Sequence, residues 1–198
     1  MTFILPEYYL SGRTDTRRGC RLDAQGRPAG IVLRSRPSER LMKIDTRPLR
    51  DRHQTASAMR RIIRQYAGDL LKGDRVENRD GRAVAPGRLS LAEMFNLVKD
   101  IPYKTDIEPS EIIGRPKILL EGADGGLDCK KKAILMAAWC EVNGKPWELF
   151  GSSIRKDKDI HHVFPGVMLD GKTWINIDAT YPENRIGERK RVTAAEVL

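Results

Sequence analysis

The chain has 198 residues, of which 40% are hydrophobic, and this is enough apolar surface for one compact core with small appendages. Such a composition excludes collagen, coiled-coil rods and wholly disordered chains. The apolar runs are only a few residues long, far short of the ~20 residues that span a bilayer. The first ten residues lack a basic region and a small-residue cleavage site. We therefore expect no membrane span, no membrane partner and no export signal.

The net charge of +9 comes from the first half of the chain. Residues 1–100 carry 21 basic and 12 acidic side chains, and 18 of the basic ones are arginine, whereas residues 101–198 carry 15 of each sign. Arginine suits bidentate contacts with carboxylate and phosphate groups, so this half could bind an acidic protein or nucleic acid. Aromatic residues are not interleaved with the arginines as stacking platforms. We therefore favour a solvated basic surface or a basic protein interface, with nucleic acid as the open alternative.

Four regions are predicted along the chain. Residues 1–50 are punctuated by Gly, Pro and Arg and form an extended basic N-terminal arm with one β-like run at 30–33. Residues 51–88 hold a basic amphipathic helix over 54–71 and a polar linker, because apolar side chains recur there with helical spacing. Residues 89–182 form the core, and residues 183–198 are a charged, peripheral C-terminal tail.

The core begins with a helix that has a recognisable start. Ser90 and Glu93 have the spacing of a capping box, in which each side chain satisfies the other residue's backbone N–H. The apolar residues that follow form one stripe with helical spacing, which we expect to be buried: Leu91, Met94, Phe95 and Val98.

A second helix is predicted over 129–142, with Asp128 as its N-cap and Asn143-Gly144 at its end. It is apolar nearly all round after its first turn, which is typical of a buried helix. Three strand-like runs follow, at 147–154, 162–169 and 174–180. The turn signal Asp170-Gly171-Lys172 makes the last two an antiparallel hairpin, whereas Pro165 predicts an edge strand or a bulge within the second run.

Cys129 lies in the first turn of the helix over 129–142, where the helix dipole and the unpaired N–H groups favour thiolate over thiol. The three lysines that follow it, Lys130 to Lys132, add positive potential. Cys140 lies in the apolar part of the same helix and is expected to be a core residue. Cys20 has no partner motif and no assigned role. The chain has only three cysteines, an odd number that cannot all pair, which argues against a disulfide scaffold. We therefore expect a reducing compartment.

A thiolate nucleophile needs a base that also protonates the leaving group, and the base needs an orienting acceptor. His162 and Asp178 can supply both functions, because the predicted hairpin makes their strands antiparallel neighbours, so that a carboxylate on one strand can reach the imidazole on the other. Strand alternation places His162 on one face of its strand with Phe164, and Asp178 on one face of the partner strand with Asn176. His161 points to the opposite face. Taken singly, a cysteine at a helix start and a histidine on a strand are usually structural residues. Their order along the chain favours a shared site.

The stretches GGLDCKKKAILMAAWCEVNGKPWELF and HHVFPGVMLDGKTWINIDAT together resemble the transglutaminase-like superfamily of the papain-like fold. That family has a G-D-C motif at a helix start, an H-x-aromatic motif and a D-G-x-W motif with a later Asp. The resemblance implies an α+β fold in which a buried helix with the cysteine at its N-terminus packs on an antiparallel sheet carrying the histidine and the aspartate. It makes Cys129 the nucleophile, His162 the base and acid, and Asp178 the orienting residue.

The residues upstream of the core are similar to a narrower group, the transglutaminase-like proteins of tailed bacteriophages and prophages. The similarity lies in Gln54-Thr55 with Met59, the run from Ile101 to Asp106, Glu111, and Pro116 before Leu119-Leu120. It implies a virion-associated protein that is present in the bacterial cytoplasm during assembly and then in the phage particle. Other virion proteins are the expected partners of the basic half.

No motif in the sequence implies a metal or a nucleotide, so no cofactor is expected. We expect a thiol enzyme that acts on amide bonds of a protein or peptide substrate, by hydrolysis or by acyl transfer. The alternative is a phage structural or adaptor protein that uses the fold with little or no catalysis.

Overall fold

The computed structural model describes residues 52–106, 113–154, 159–188 and 192–198. The described ranges contain five α-helices: α1 (Arg52–Tyr66), α2 (Asp69–Lys72), α3 (Leu91–Asp100), α4 (Pro116–Glu121) and α5 (Cys129–Val142). They also contain six strands: β1 (Val76–Glu77), β2 (Ala83–Val84), β3 (Trp147–Ser153), β4 (His162–Met168), β5 (Trp174–Asn176) and β6 (Ala194–Val197). The predicted arm at 1–50 lies outside these ranges, as do Cys20 and Glu111.

The main sheet has four antiparallel strands in the order β5-β4-β3-β6, and β1 and β2 form a separate short hairpin. The turn between β4 and β5 is the one predicted. Asp170 Oδ1 accepts hydrogen bonds from the backbone N–H groups of Lys172 (2.9 Å) and Thr173 (2.8 Å), and Gly171 adopts a φ of 73°. The chain therefore has an α+β fold with an antiparallel sheet.

Helix α5 is the centre of the core, as predicted from its apolar composition. Every residue from Lys131 to Cys140 is buried, and the helix packs against α1, α3, β3 and β4. Asp128 caps its start by accepting the Lys131 N–H at 3.0 Å, and Gly144, with φ of 61°, follows its end. The indole N–H of Trp139 donates to the Leu89 carbonyl at 2.9 Å, so even the polar atom of this core residue is satisfied.

Helix α3 begins with the predicted capping box. Ser90 accepts the Glu93 N–H at 3.3 Å, and the Glu93 carboxylate accepts the Ser90 N–H at 2.8 Å. Four residues of α3 are buried: Met94, Phe95, Leu97 and Val98. Leu91 packs against the core from a half-buried position.

Helix α1 shares the core with α5, although the sequence assigned it to a separate region. Its apolar stripe, Ala56, Met59 and Ile63, is fully buried against the same cluster of side chains. The helix ends at Tyr66, and the short helix α2 begins after Gly68. The single helix predicted over 54–71 is therefore two helices. No structural boundary separates the described part of 51–88 from the predicted core.

Two expectations about the sheet are wrong. Strand β4 lies between β5 and β3 and so is not an edge strand despite Pro165. It has no bulge there either, because Pro165 pairs with Leu149 in a continuous register with β3. The carbonyl of Pro165 faces the β5 side of the strand, where it accepts the Ile177 N–H at 3.0 Å. The proline nitrogen faces the same side, and β5 has already ended at Asn176. The missing N–H therefore interrupts no hydrogen bond between two strands. The predicted peripheral tail supplies β6, which pairs with β3 from Phe150 to Ser153.

Within the described ranges, no helix has both the length and the apolar character needed to cross a membrane.

Candidate active site

Cys129 is the first residue of α5 and is 7% exposed. The helix N-terminus presents unpaired backbone N–H groups and the positive end of the helix dipole, both of which favour an anion at this position. The lysines that follow it do not form a diffuse positive surface. Lys130 pairs with Asp128 at 2.8 Å, Lys131 pairs with Asp106, and Lys132 is buried among backbone carbonyls. The predicted positive potential is therefore largely compensated.

The loop that leads into Cys129 is fixed by a parallel bridge between Leu127 and Tyr103. The Leu127 N–H donates to the Pro102 carbonyl at 2.9 Å, and the Lys104 N–H donates to the Leu127 carbonyl at 3.2 Å. Gly126 makes this approach possible, since its φ is 83° and a Cβ there would lie 2.8 Å from Lys104 Cβ. Cys129 is therefore positioned both by the loop that precedes it and by the helix that it begins.

His162 and Asp178 form a hydrogen-bonded pair, with Nε2 of the imidazole 2.9 Å from Oδ2 of the carboxylate. Asp178 is 6% exposed, and its other oxygen accepts the Thr180 N–H at 3.1 Å. Asn184, itself 2% exposed, donates from Nδ2 to the Asp178 carbonyl at 2.9 Å. The carboxylate is therefore oriented by the chain that follows it.

His162 also interacts with Cys129. Burial alone would lower the pKa of His162, but hydrogen bonds to Asp178 and Cys129, together with the negative charges of both groups, raise it to about 9. Because Asp178 holds Nε2, Nδ1 is the ring nitrogen available to the thiol. At neutral pH the imidazole is the protonated form, which can stabilise a thiolate and donate a proton.

Two tyrosines flank the thiol and the imidazole. The Tyr181 ring is 6.1 Å from the His162 ring, and the Tyr103 ring is 5.4 Å from the Tyr181 ring. Burial raises the pKa of Tyr103 to about 12 and also raises the pKa of Tyr181. The negative charge of Cys129 raises both pKa values further. Both phenols therefore stay neutral and can donate hydrogen bonds over the whole physiological pH range.

A cleft of about 290 Å³ opens beside His162 and Asp178 on the outer face of the sheet. Its apolar surface includes Phe150 and Phe164, whose rings are 6.0 Å apart, and its polar lining includes Asn176. The Phe164 ring also stacks against His162 at 5.7 Å. The cleft thus continues directly from the imidazole.

The structure brings together Cys129, His162 and Asp178, the three residues singled out from the sequence. His161 lies apart, with Nδ1 3.0 Å from the Asp159 carbonyl oxygen. Cys140 is fully buried, and burial raises its pKa to about 12, so it is a core residue as predicted. In the described ranges, no group of three His, Cys, Asp or Glu side chains could hold a metal ion.

Four residues of the site were not predicted from the sequence: Tyr103, Tyr181, Asn184 and Lys132. Tyr181 follows the Asp178 strand closely and could have been found from that position. Asn184 gave no signal, because it lies in a charged stretch that was assigned to the tail. Lys132 was expected only to add positive potential near Cys129, and its burial was not predicted.

No protein-family model, curated protein or solved structure matches this chain.

Proposed function

We propose that this chain is a transglutaminase-like thiol enzyme that acts on amide bonds through Cys129, His162 and Asp178. One observation carries the proposal: a half-buried imidazole interacts with a carboxylate through one nitrogen and with a helix-N-terminal thiol at the same time. The buried helix that starts at Cys129 and the antiparallel sheet with His162 on β4 agree with a papain-like core of this class. The resemblance of the three sequence blocks supports the same assignment.

The reaction follows from these positions. The Cys129 thiolate attacks the carbonyl carbon of an amide, and the oxyanion forms near the first turn of α5, where the Cys129 N–H is a candidate donor. The C–N bond breaks as His162 gives its proton to the departing nitrogen, which leaves a thioester. Water or a second amine then attacks the thioester, His162 accepts the proton, and the thiolate leaves. Asp178 keeps the imidazole oriented throughout.

The substrate class is a protein or peptide. The accessible surface of the cleft next to His162 is largely apolar and includes the Phe150 and Phe164 rings, whereas Arg185 and Glu188 add charged groups to its lining. This mixture suits the side chains and backbone of a peptide. Whether the product is a hydrolysed amide or a new cross-link depends on which nucleophile reaches the thioester.

The proposal is tested by the rate at which iodoacetamide alkylates Cys129 between pH 4 and pH 9. The background carries Cys20→Ser and Cys140→Ala, so that only one thiol is counted. We expect rapid alkylation at pH 6 that falls at least tenfold in His162→Ala, because the imidazolium no longer supports the thiolate. The matched control is His161→Ala, which removes the adjacent, exposed imidazole and should leave the rate unchanged.

The outcomes separate the two functions considered for this chain. A thiol that alkylates at pH 6 equally in all three proteins would exclude the thiol-enzyme proposal and favour a structural or adaptor protein. If the His162 dependence is found, incubation with casein and a fluorescent primary amine distinguishes the chemistries. Incorporation of the amine into casein indicates acyl transfer, whereas new peptide termini, or ammonia released without incorporation of the amine, indicate hydrolysis.

We further propose that the enzyme is virion-associated and acts with other phage virion proteins, being made in the bacterial cytoplasm and then carried in the particle. The support is the resemblance of the upstream residues, which include Met59 and the run from Ile101 to Asp106. Mass spectrometry of purified particles tests this: the chain should copurify with the particle at a fixed ratio to a capsid protein.

A further inference from the structure

Lys132 is a buried lysine three residues after Cys129 on the same helix. Only 1% of the residue is exposed, and its ammonium donates to three backbone carbonyls: Ile101 at 2.6 Å, Thr180 at 3.1 Å and Lys99 at 3.2 Å. Within the described ranges it forms no ion pair with a carboxylate. A buried cation is costly unless its protons are satisfied, and here three protons meet three acceptors.

The three carbonyls belong to the two segments that enclose the thiol. Lys99 lies in the last turn of α3, and Ile101 directly follows that helix. Ile101 also lies two residues before Tyr103, which bridges to the loop before Cys129. Thr180 lies two residues after Asp178, whose carboxylate accepts the Thr180 N–H. A single ammonium on the nucleophile helix therefore holds both the Tyr103 segment and the Asp178 segment.

We propose that Lys132 is a positioning residue, whose buried ammonium fixes the Asp178 and Tyr103 segments relative to the Cys129 thiol. Without the ammonium, the Thr180 carbonyl has lost its donor, and the stretch from Asp178 to Tyr181 can shift away from α5. The His162–Asp178 hydrogen bond then weakens, although neither residue has changed. This inference rests on the proposed function of the triad.

The ionisation of Lys132 is consistent with this role. Burial lowers the pKa of Lys132 to about 8, and the negative charges of Asp100 and Asp178 oppose that shift. The amine is therefore still largely the three-proton form at neutral pH, which is the form that three carbonyls require.

The test measures the imidazole of His162 directly. The chain has three histidines, so ¹⁵N-histidine NMR assigns His162 by the signal that is lost in His162→Ala. Lys132→Met keeps most of the side-chain volume but removes the donors, and the pKa of His162 should fall by about one unit as its bond to Asp178 weakens. Loss of a nearby positive charge alone would raise the pKa of His162, so the sign of the change separates repositioning from electrostatics.

Lys131→Met is the matched control. Lys131 is the neighbouring buried lysine of the same helix, but its partner is Asp106 and not the Asp178 segment. Both variants should lose thermal stability, whereas only Lys132→Met should lower the pKa of His162. It should also slow the alkylation of Cys129 at pH 6 by about tenfold, because small displacements of a catalytic group are costly. If Lys132→Met does not fold, Lys132→Leu, which also removes all three donors, is measured instead.

A pKa of His162 that is unchanged or raised in the folded Lys132 variant would overturn the proposal, whatever the effect on stability. The readout does not depend on catalysis. If the wild-type thiol proves unreactive at pH 6, the proposed function fails, but the titration of His162 still decides whether Lys132 positions the pair.

Discussion

The His162 imidazole and the Asp178 carboxylate meet diagonally across the β4–β5 hairpin. The ladder pairs Gly166 with Asn176, and its continuation sets Asp178 opposite Phe164 and not opposite His162. Nevertheless, Nε2 and Oδ2 are 2.9 Å apart. Asp178 lies beyond the end of β5, and there the Thr180 N–H holds its carboxylate and the Asn184 side chain holds its carbonyl. The pairing therefore depends on the segment after the strand as much as on the strand itself.

Asp178→Asn should uncouple the pair with little change in shape. An amide offers no negative charge, so the pKa of His162 should fall from about 9 as burial becomes the dominant influence. We expect alkylation of Cys129 at pH 7 to slow by about 10- to 100-fold, because the imidazole is less protonated and less well oriented.

Asp170→Asn is the control for this change. Asp170 is the exposed aspartate at the turn of the same hairpin, and its pKa is lowered by the backbone N–H groups of Thr173 and Lys172. Asparagine suits a turn, so the alkylation rate should stay at the wild-type value. Equal slowing in both variants would indicate a general disturbance of the hairpin and not the loss of an orienting carboxylate.

The raised pKa of His162 also predicts how stability depends on pH. The folded value of about 9 lies above the usual value of about 6.5, so protonated His162 contributes stability that is fully present below pH 6.5. That contribution, on the order of 3 kcal/mol, should be lost as the pH rises from 6.5 through 9. Denaturant unfolding at closely spaced pH values measures it, and His162→Ala should remove this part of the slope.

Lys132 should act in the opposite direction at higher pH. Its folded pKa of about 8 lies below its unfolded value, so the unfolded chain binds more protons and stability should rise from pH 8 toward pH 10.5. The wild-type curve should therefore flatten above pH 8, and the flattening should disappear in Lys132→Met. If the stability of His162→Ala falls between pH 6.5 and 9 as much as that of the wild type, a group other than His162 causes that loss.

The sequence predicted the parts of the site that local rules govern. The N-cap at Asp128, the buried α5 and the turn at Asp170 each follow from short-range patterns, and together they bring Cys129, His162 and Asp178 to one place. The pairing of Pro165 was not predictable, because tolerance of a strand proline depends on where the neighbouring strand ends.

Non-local pairing explains most of what was missed. β6 has a weak alternating pattern and forms because β3 offers a free edge, on which the Leu198 N–H donates to the Leu149 carbonyl at 3.0 Å. Lys132 could not be predicted as buried, since a lysine in a run of three is normally solvated. Its three acceptors come from residues more than 30 positions away, and only the tertiary structure brings them together.

Gly126→Ala should disturb the loop that presents the thiol. A Cβ at Gly126 would lie 2.8 Å from Lys104 Cβ and 3.0 Å from the Pro102 carbonyl oxygen, on a backbone with φ of 83°. We expect a loss of about 2–3 kcal/mol in the free energy of unfolding, because the strain adds to the close contacts. Gly125→Ala is the adjacent control, since no heavy atom lies within 4 Å of its Cβ position. Urea unfolding measures the stability of both variants. An equal loss of stability in the two would show that the close contacts at Gly126 are not the cause.

Arg60→Met should weaken the attachment of the C-terminal strand. The half-buried guanidinium contacts the Glu148 carboxylate on β3 and the Leu198 carbonyl after β6, so it ties α1 to two strands of the sheet. Methionine retains the apolar stem but removes the guanidinium from both acceptors. Among the described residues, the Glu148 carboxylate keeps only the Leu149 N–H as a donor, and the loss should cost about 1–2 kcal/mol of unfolding free energy. Arg61→Met changes an exposed neighbour on the same helix and should cost less than about 0.5 kcal/mol. Amide hydrogen exchange should show faster exchange at Leu198 only in Arg60→Met, and equal exchange in both variants would mean that β6 is held by its ladder alone.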